Sequence, residues 1–181
     1  MLRHVDEDRR AVGRISEEGA NKSDAIGAEI ELLGGAIVAM SPQDPRHAAT
    51  VTRLAEALMR AVGADKLVRI QAPFSASDQS LPEPDVAVVP RRGDDGHPDA
   101  AFLVAEVANT SLQKDRSLKS DVYAQAAIPE YWIADLARRS IEVRKAQLNG
   151  RYTIRAAVHP GNTVRIDALD NAEIAVSDVL R

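Results

Sequence analysis

The spacing of apolar residues changes several times along the chain, and each change marks an element. Residues 46–64, RHAATVTRLAEALMRAVGA, carry Val51, Leu54, Ala55, Leu58 and Val62 on one helical face. Asp44 followed by Pro45 predicts an N-cap and first turn, and Gly63 a C-terminal stop. Residues 66–74 and 84–90 read as strands, the second with prolines at both ends. The polar run 91–99 is a loop, and 100–108, AAFLVAEVA, is apolar on both faces, as a buried strand is. Residues 111–127 predict a helix capped by Ser111, with Leu118, Val122, Tyr123 and Ala126 on its packed side. Three strands follow at 129–135, 139–147 and 150–158, and Asn149-Gly150 joins the last two as a hairpin turn. Upstream, 28–41 is a pair of apolar runs about Gly34-Gly35, a second hairpin, and GNTVRIDAL near the C-terminus is a further strand. Residues 1–27 are polar and read as a flexible N-terminal arm, leaving 28–181 as one domain. Helices set among strands joined by short turns predict an α+β domain with a mixed sheet.

A chain of 181 residues can bury one real core. Aromatic residues are only 3%, so that core must be built from Val, Ile, Leu and Ala. The absence of cysteine excludes disulfides, thiol chemistry and cysteine-based metal sites. No apolar run approaches the roughly 20 residues that span a bilayer, and the first residues lack the apolar stretch of a signal peptide. The expected location is the cytoplasm, with no membrane partner. A net charge of −4 argues against a bulk polyanion binder, although a local basic stripe suffices for nucleic acid. Basic residues cluster at Arg91 and Arg92, at Lys114, Arg116 and Lys119, and at Arg138, Arg139, Arg144 and Lys145. Acids lie among them, as on a solvated mixed-charge surface.

Two carboxylates break the apolar pattern. Strand alternation puts Phe102, Val104 and Glu106 on one face, so Glu106 points into an apolar layer. An ionised carboxylate there is costly unless it is paired, metal-bound or at the open end of the sheet. Asp85 opens its own strand. If the two strands pair antiparallel across the 91–99 loop, Asp85 and Glu106 meet at one end of the sheet. A divalent cation, Mg²⁺ or Mn²⁺, would resolve their repulsion and leave positions for a phosphate and an attacking water. Asp85 also reads as a turn residue after Pro84. Lys119 lies one helical turn after Asp115, either as a surface ion pair or pointing at this site to orient or deprotonate the water or to hold the phosphate. Tyr131 and Trp132 read as core or dimer packing before base stacking, and Asp135 as a turn residue.

The segments PEPDVAVV, FLVAEVANTS and KDRSLKSDVYAQAAIPEYWIAD, with the earlier IELLGGAIVAMSPQDPRH, resemble the Uma2 family of bacterial proteins, also called DUF820. The likeness spans residues 28–147. That family is similar to PD-(D/E)XK nucleases, whose restriction-endonuclease-like core holds Mg²⁺ with an Asp and a Glu on adjacent strands beside a lysine. The resemblance implies such a core, with flanking helices and C-terminal β-hairpin additions. It implies a Mg²⁺- or Mn²⁺-dependent endonuclease acting on nucleic acid, DNA before RNA, and working as a homodimer. Asp85 and Glu106 match the metal ligands. The family pattern puts a lysine two residues after Glu106, where this chain has Ala108, and Lys119 on the following helix takes that role. Glu31 matches an opening acid that can join the metal site, against its reading as a solvent-facing edge residue. His47 matches as a capping or phosphate-contacting side chain, and Asp115 as a residue that orders the helix start or pairs with Lys119. The rival reading is a nuclease-fold module that keeps the fold but serves nucleic-acid binding or protein assembly. Ala108, the acidic net charge and the scarcity of aromatics support it.

Overall fold

The computed structural model describes residues 30–40, 43–92, 96–109, 111–169 and 172–181. The arm expected at 1–27 lies outside the described residues. A hairpin, β1 (Ile30–Leu33) and β2 (Ala36–Ala39), turns through Gly34 and Gly35, both at positive φ. Helix α1 (Pro45–Ala61) follows, with the Asp44 side chain accepting from the backbone N–H groups of Arg46 and His47. The helix stops at Ala61, where Val62 is extended, so the cap falls just before Gly63.

Six strands form the central sheet: β3 (Lys66–Ile70), β4 (Val86–Pro90), β5 (Leu103–Ala108), β6 (Glu130–Asp135), β7 (Ser140–Leu148) and β8 (Arg151–Val158), in that order across it. Every neighbouring pair is antiparallel except β5 and β6. A parallel step needs a crossover, and helix α2 supplies it. This helix runs through three consecutive segments, Leu112–Lys114, Asp115–Lys119 and Ser120–Gln125, and the middle one is a π-turn. A second small sheet, β9 (Thr163–Ile166) with β10 (Ala172–Ala175), and a short helix α3 (Val176–Val179) end the chain.

Strand alternation sorts the core into two layers. Val86, Val88, Leu103, Ala105, Val107, Trp132 and Ala134 face α1, whose Val51, Leu54, Ala55 and Leu58 pack on them beneath β9, β10 and α3. Ala87, Val89, Val104, Ala108, Tyr131 and Ile133 face α2, which contributes Tyr123 and Ala124. Fully burying one aliphatic side chain of this size stabilises by about 1.5–3 kcal/mol.

Four sequence expectations need correction. The strand expected over 66–74 ends at Ile70, because Gln71 takes a φ of 45° that breaks the ladder. The strand expected from 100 begins at Leu103, and Phe102 packs with the α1 layer rather than with Val104. Leu118, expected on the packed side of its helix, is exposed, because the inward positions of the π-turn go to Asp115 and Lys119. Ser111, expected to cap the helix, stands at the N-cap position, but its side chain makes no cap hydrogen bond, because the hydroxyl donates to the Asp115 carboxylate. Ala126, half-buried, does pack on the α2-side core as expected.

Candidate active site

The pairing of β4 with β5 sets Val86 opposite Ala105, so the residues just beyond, Asp85 and Glu106, are neighbours at one rim of the sheet. Both lie on the α2 side. Asp85 is fixed from several directions: Oδ2 accepts from the Val107 backbone N–H at 2.8 Å and lies 3.2 Å from His47 Nε2. Its other oxygen has a long contact of 3.4 Å with the Gln71 amide. His47 stands on the first turn of α1, and the adjacent Asp85 carboxylate raises its pKa above the ordinary histidine value.

Glu106 Oε1 takes two donors, Lys119 Nζ at 2.8 Å and the Tyr123 hydroxyl at 2.7 Å. Lys119 and Tyr123 are four residues apart on one helix face. Lys119 Nζ also reaches Glu31 Oε1 at 2.8 Å, and Glu31 in turn accepts from the Glu83 backbone N–H and from Lys114. The ammonium group is therefore clamped between two buried carboxylates from β1 and β5. Burial alone would lower the Lys119 pKa, but Glu106 and Glu31 outweigh it and hold the pKa above the usual lysine value. Burial pushes Glu106 up to about 8; Lys119 opposes that shift, while Asp85, Asp115 and Glu31 add to it. Asp115, held by the Ser111 hydroxyl at 2.6 Å, is also raised by burial.

The π-turn that aims Lys119 is braced from below. Its wider spacing alters the α-helical hydrogen-bond ladder, and side chains of the sheet reach the turn's carbonyls. The Tyr131 hydroxyl donates to the Asp115 carbonyl at 3.1 Å. Arg144 Nη1 donates to the Arg116 carbonyl at 2.7 Å and to Ser120 Oγ at 2.8 Å. π-turns occur often at functional sites.

These groups surround a pocket of about 80 Å³ lined by His47, Asp85, Glu106, Asn109, Asp115 and Lys119 among others. That is room for a cation with a few waters. Among the described residues no three acidic or histidine side chains converge on one ion position. Glu106 Oε2 accepts no hydrogen bond among the described residues, and Asp85 Oδ1 has only the long contact. A donor set of two carboxylates fits Mg²⁺, which takes one or two of them and keeps several waters.

Of the residues singled out in the sequence, Asp85, Glu106, Lys119 and Glu31 are brought together. The solvent-facing alternative for Glu31 does not hold, since it is 2% exposed. Tyr131 and Trp132 lie wholly in the core, where neither a base nor a second subunit reaches them. Asp135 ends β6, receives the Arg138 N–H in the following turn and pairs with Arg116. The basic clusters are mostly neutralised: Arg116 also pairs with Glu142, Lys145 with Asp167 and Arg92 with Asp99. Tyr123, Lys114 and Arg144 were not singled out as site residues. For Tyr123, the four-residue step from Lys119 was the available signal.

A mixed sheet with an aspartate and a glutamate at adjoining ends of two antiparallel strands, flanked by a helix on each face, is a restriction-endonuclease-like fold. The chain matches the Uma2 family, described as "Putative restriction endonuclease", over residues 23–177, and it belongs to that family. Among solved structures it is similar to a "putative nuclease belonging to DUF820" from Anabaena variabilis ATCC 29413, with a TM-score of 0.66 and 13% sequence identity, covering 83% of this chain and 88% of that one. No curated protein matches it.

Proposed function

We propose that this protein is a metal-dependent nuclease that hydrolyses phosphodiester bonds of nucleic acid. The observation that carries the reading is the meeting of Asp85 and Glu106 at one sheet rim with Lys119 bridging to Glu31. Asp85 and Glu106 would hold Mg²⁺ or Mn²⁺. When bound, the cation supplies a polarised phosphate and a water of lowered pKa. Asp85 is oriented for its part by the Val107 N–H and His47. Lys119 remains protonated, so it serves as a fixed positive charge toward developing phosphate charge and not as the base that takes the water's proton. Glu31 holds that ammonium group in place from the opposite side. DNA ranks before RNA as substrate, and the working form is a cytoplasmic homodimer.

Family membership and a nuclease-like relative support this reading. A binding module is the second reading, favoured by the closure of Lys119 between two carboxylates and by Ala108 two residues after Glu106. Purified protein incubated with single- and double-stranded DNA and RNA in Mg²⁺ or Mn²⁺ should cut at least one of them. Glu106→Gln and Asp85→Asn should each lower the rate at least about 100-fold, with unchanged circular dichroism. Failure to cut any form with either metal would leave the binding-module reading in place.

A further inference from the structure

We propose that a second groove, beside the acid pocket, carries the phosphodiester backbone of the substrate strand. The groove measures about 300 Å³ and is lined by Arg46, Arg53, Arg139 and Arg181, together with Thr50 and apolar residues that include Leu136. Among the described residues no Asp or Glu lines it. In a chain of net charge −4 that is an uneven distribution. Among the described residues none of the four arginines has an ion pair, while Arg92, Arg116 and Arg165 elsewhere are each paired with a carboxylate. Arginine clusters without counter-charges suit phosphate, whose oxygens match the guanidinium fork.

Position supports the assignment. Arg46, Ala49, Thr50 and Arg53 follow one another at helical spacing along one face of α1. The same first turn sends Asp44 and His47 into the acid pocket. Arg139 comes from the turn after β6, which runs parallel to β5, so both strands end at the rim where Glu106 sits. Two contacts tie the regions together: the Leu136 N–H donates to the Ala108 carbonyl at 3.0 Å, and Asn109, which lines the acid pocket, donates to Asp44 at 2.6 Å. A strand whose scissile phosphate lay in the acid pocket would pass over the start of α1 and set its next phosphates against these arginines. Arg53 is held in place by the Val179 carbonyl and Thr50, which fixes one wall of the groove. Arg46 and Arg139 are exposed, and neither side chain makes a hydrogen bond among the described residues, so they are the ones free to turn toward a ligand.

The inference rests on the nuclease reading for its choice of ligand, and its test separates the two. Binding of short fluorescent single-stranded and duplex DNA and RNA is followed by anisotropy over a range of salt, in EDTA so that nothing is cut. Wild type is compared with the Arg46→Gln/Arg139→Gln double variant, both substitutions lying at the surface. The expected result is weaker binding and a plot of log K against log salt that is shallower by about 1.4 for single strands or 1.8 for duplex, since each lost phosphate contact contributes about 0.7 or 0.9. Unchanged affinity and slope in the double variant would overturn the groove, as would absence of wild-type binding to all four probes. If the double variant loses binding while wild type never cuts, the groove stands and the nuclease assignment falls. If wild type cuts and the double variant binds as well as wild type, the nuclease stands and the groove falls.

Discussion

At Lys119, one ammonium group meets two carboxylates at 2.8 Å each, with all three side chains buried. Removing one partner of such a cluster leaves charges uncompensated, at a cost of about 3–5 kcal/mol. Above about pH 8, where Glu106 is ionised, Lys119→Met should therefore lose about that much stability in urea unfolding in EDTA, and adding Glu106→Gln to it should recover part. Glu106 gives a pH signature. Its pKa rises from 4.5 to about 8 on folding, so the folded chain binds this proton more tightly than the unfolded one. That contribution is complete below about pH 4.5 and is lost as pH climbs through about 8. His47, also raised, adds in the same direction, its share disappearing as pH passes its folded value. Metal-free wild type should thus lose stability across this window, and Glu106→Gln should lose less; identical profiles would contradict the assignment. Glu106 was legible in the sequence because a carboxylate in an apolar strand demands a partner. Glu31 was open between two readings, because its partners Lys114 and Lys119 are remote in the chain and meet it only after β1 packs against the helix start.

On the scale of elements, the π-turn decides where α2 points its charges. Helical periodicity assumes regular spacing, and a five-residue π segment breaks it, so the sequence pattern put Leu118 inward and the structure turns it outward. The signal for the turn lies not in the helix but in the strands beneath, where Tyr131 and Arg144 present donors to its carbonyls. Arg144→Met would bury the Arg116 carbonyl and Ser120 hydroxyl without these donors. The expected loss is at least about 2 kcal/mol, since an unsatisfied buried polar group costs about 1–3 kcal/mol. Tyr131→Phe, which removes one donor and keeps the ring, should cost less, about 1–2 kcal/mol. Thermal or urea melts check both. A loss for Arg144→Met no greater than for an exposed arginine such as Arg138 would show that the brace is dispensable.

For the whole molecule, the sequence carried the order of elements well. Strand alternation, the Gly34-Gly35 and Asn149-Gly150 turns and the Asp44 cap are local signals, and each has its counterpart in the structure. Pairings between distant segments are not local. The parallel join of β5 to β6 and the lid of β9, β10 and α3 over α1 depend on which layers close the core. Hydrogen exchange should follow that layering, with β4, β5 and β6 slowest, and β8 and the β1–β2 hairpin opening earlier. The two layers also divide the chain's scarce aromatics. Trp132, the one tryptophan, packs in the α1 layer with its indole N–H bonded to Glu130, while Tyr123, Tyr131 and Tyr152 cluster in the layer that holds Glu106. Each side of the sheet thus has its own native chromophore. Tryptophan emission reports whether the scaffold is intact, and tyrosine absorbance reports on the acid side, so a single cuvette can separate ligand-driven change at the rim from unfolding without any attached dye.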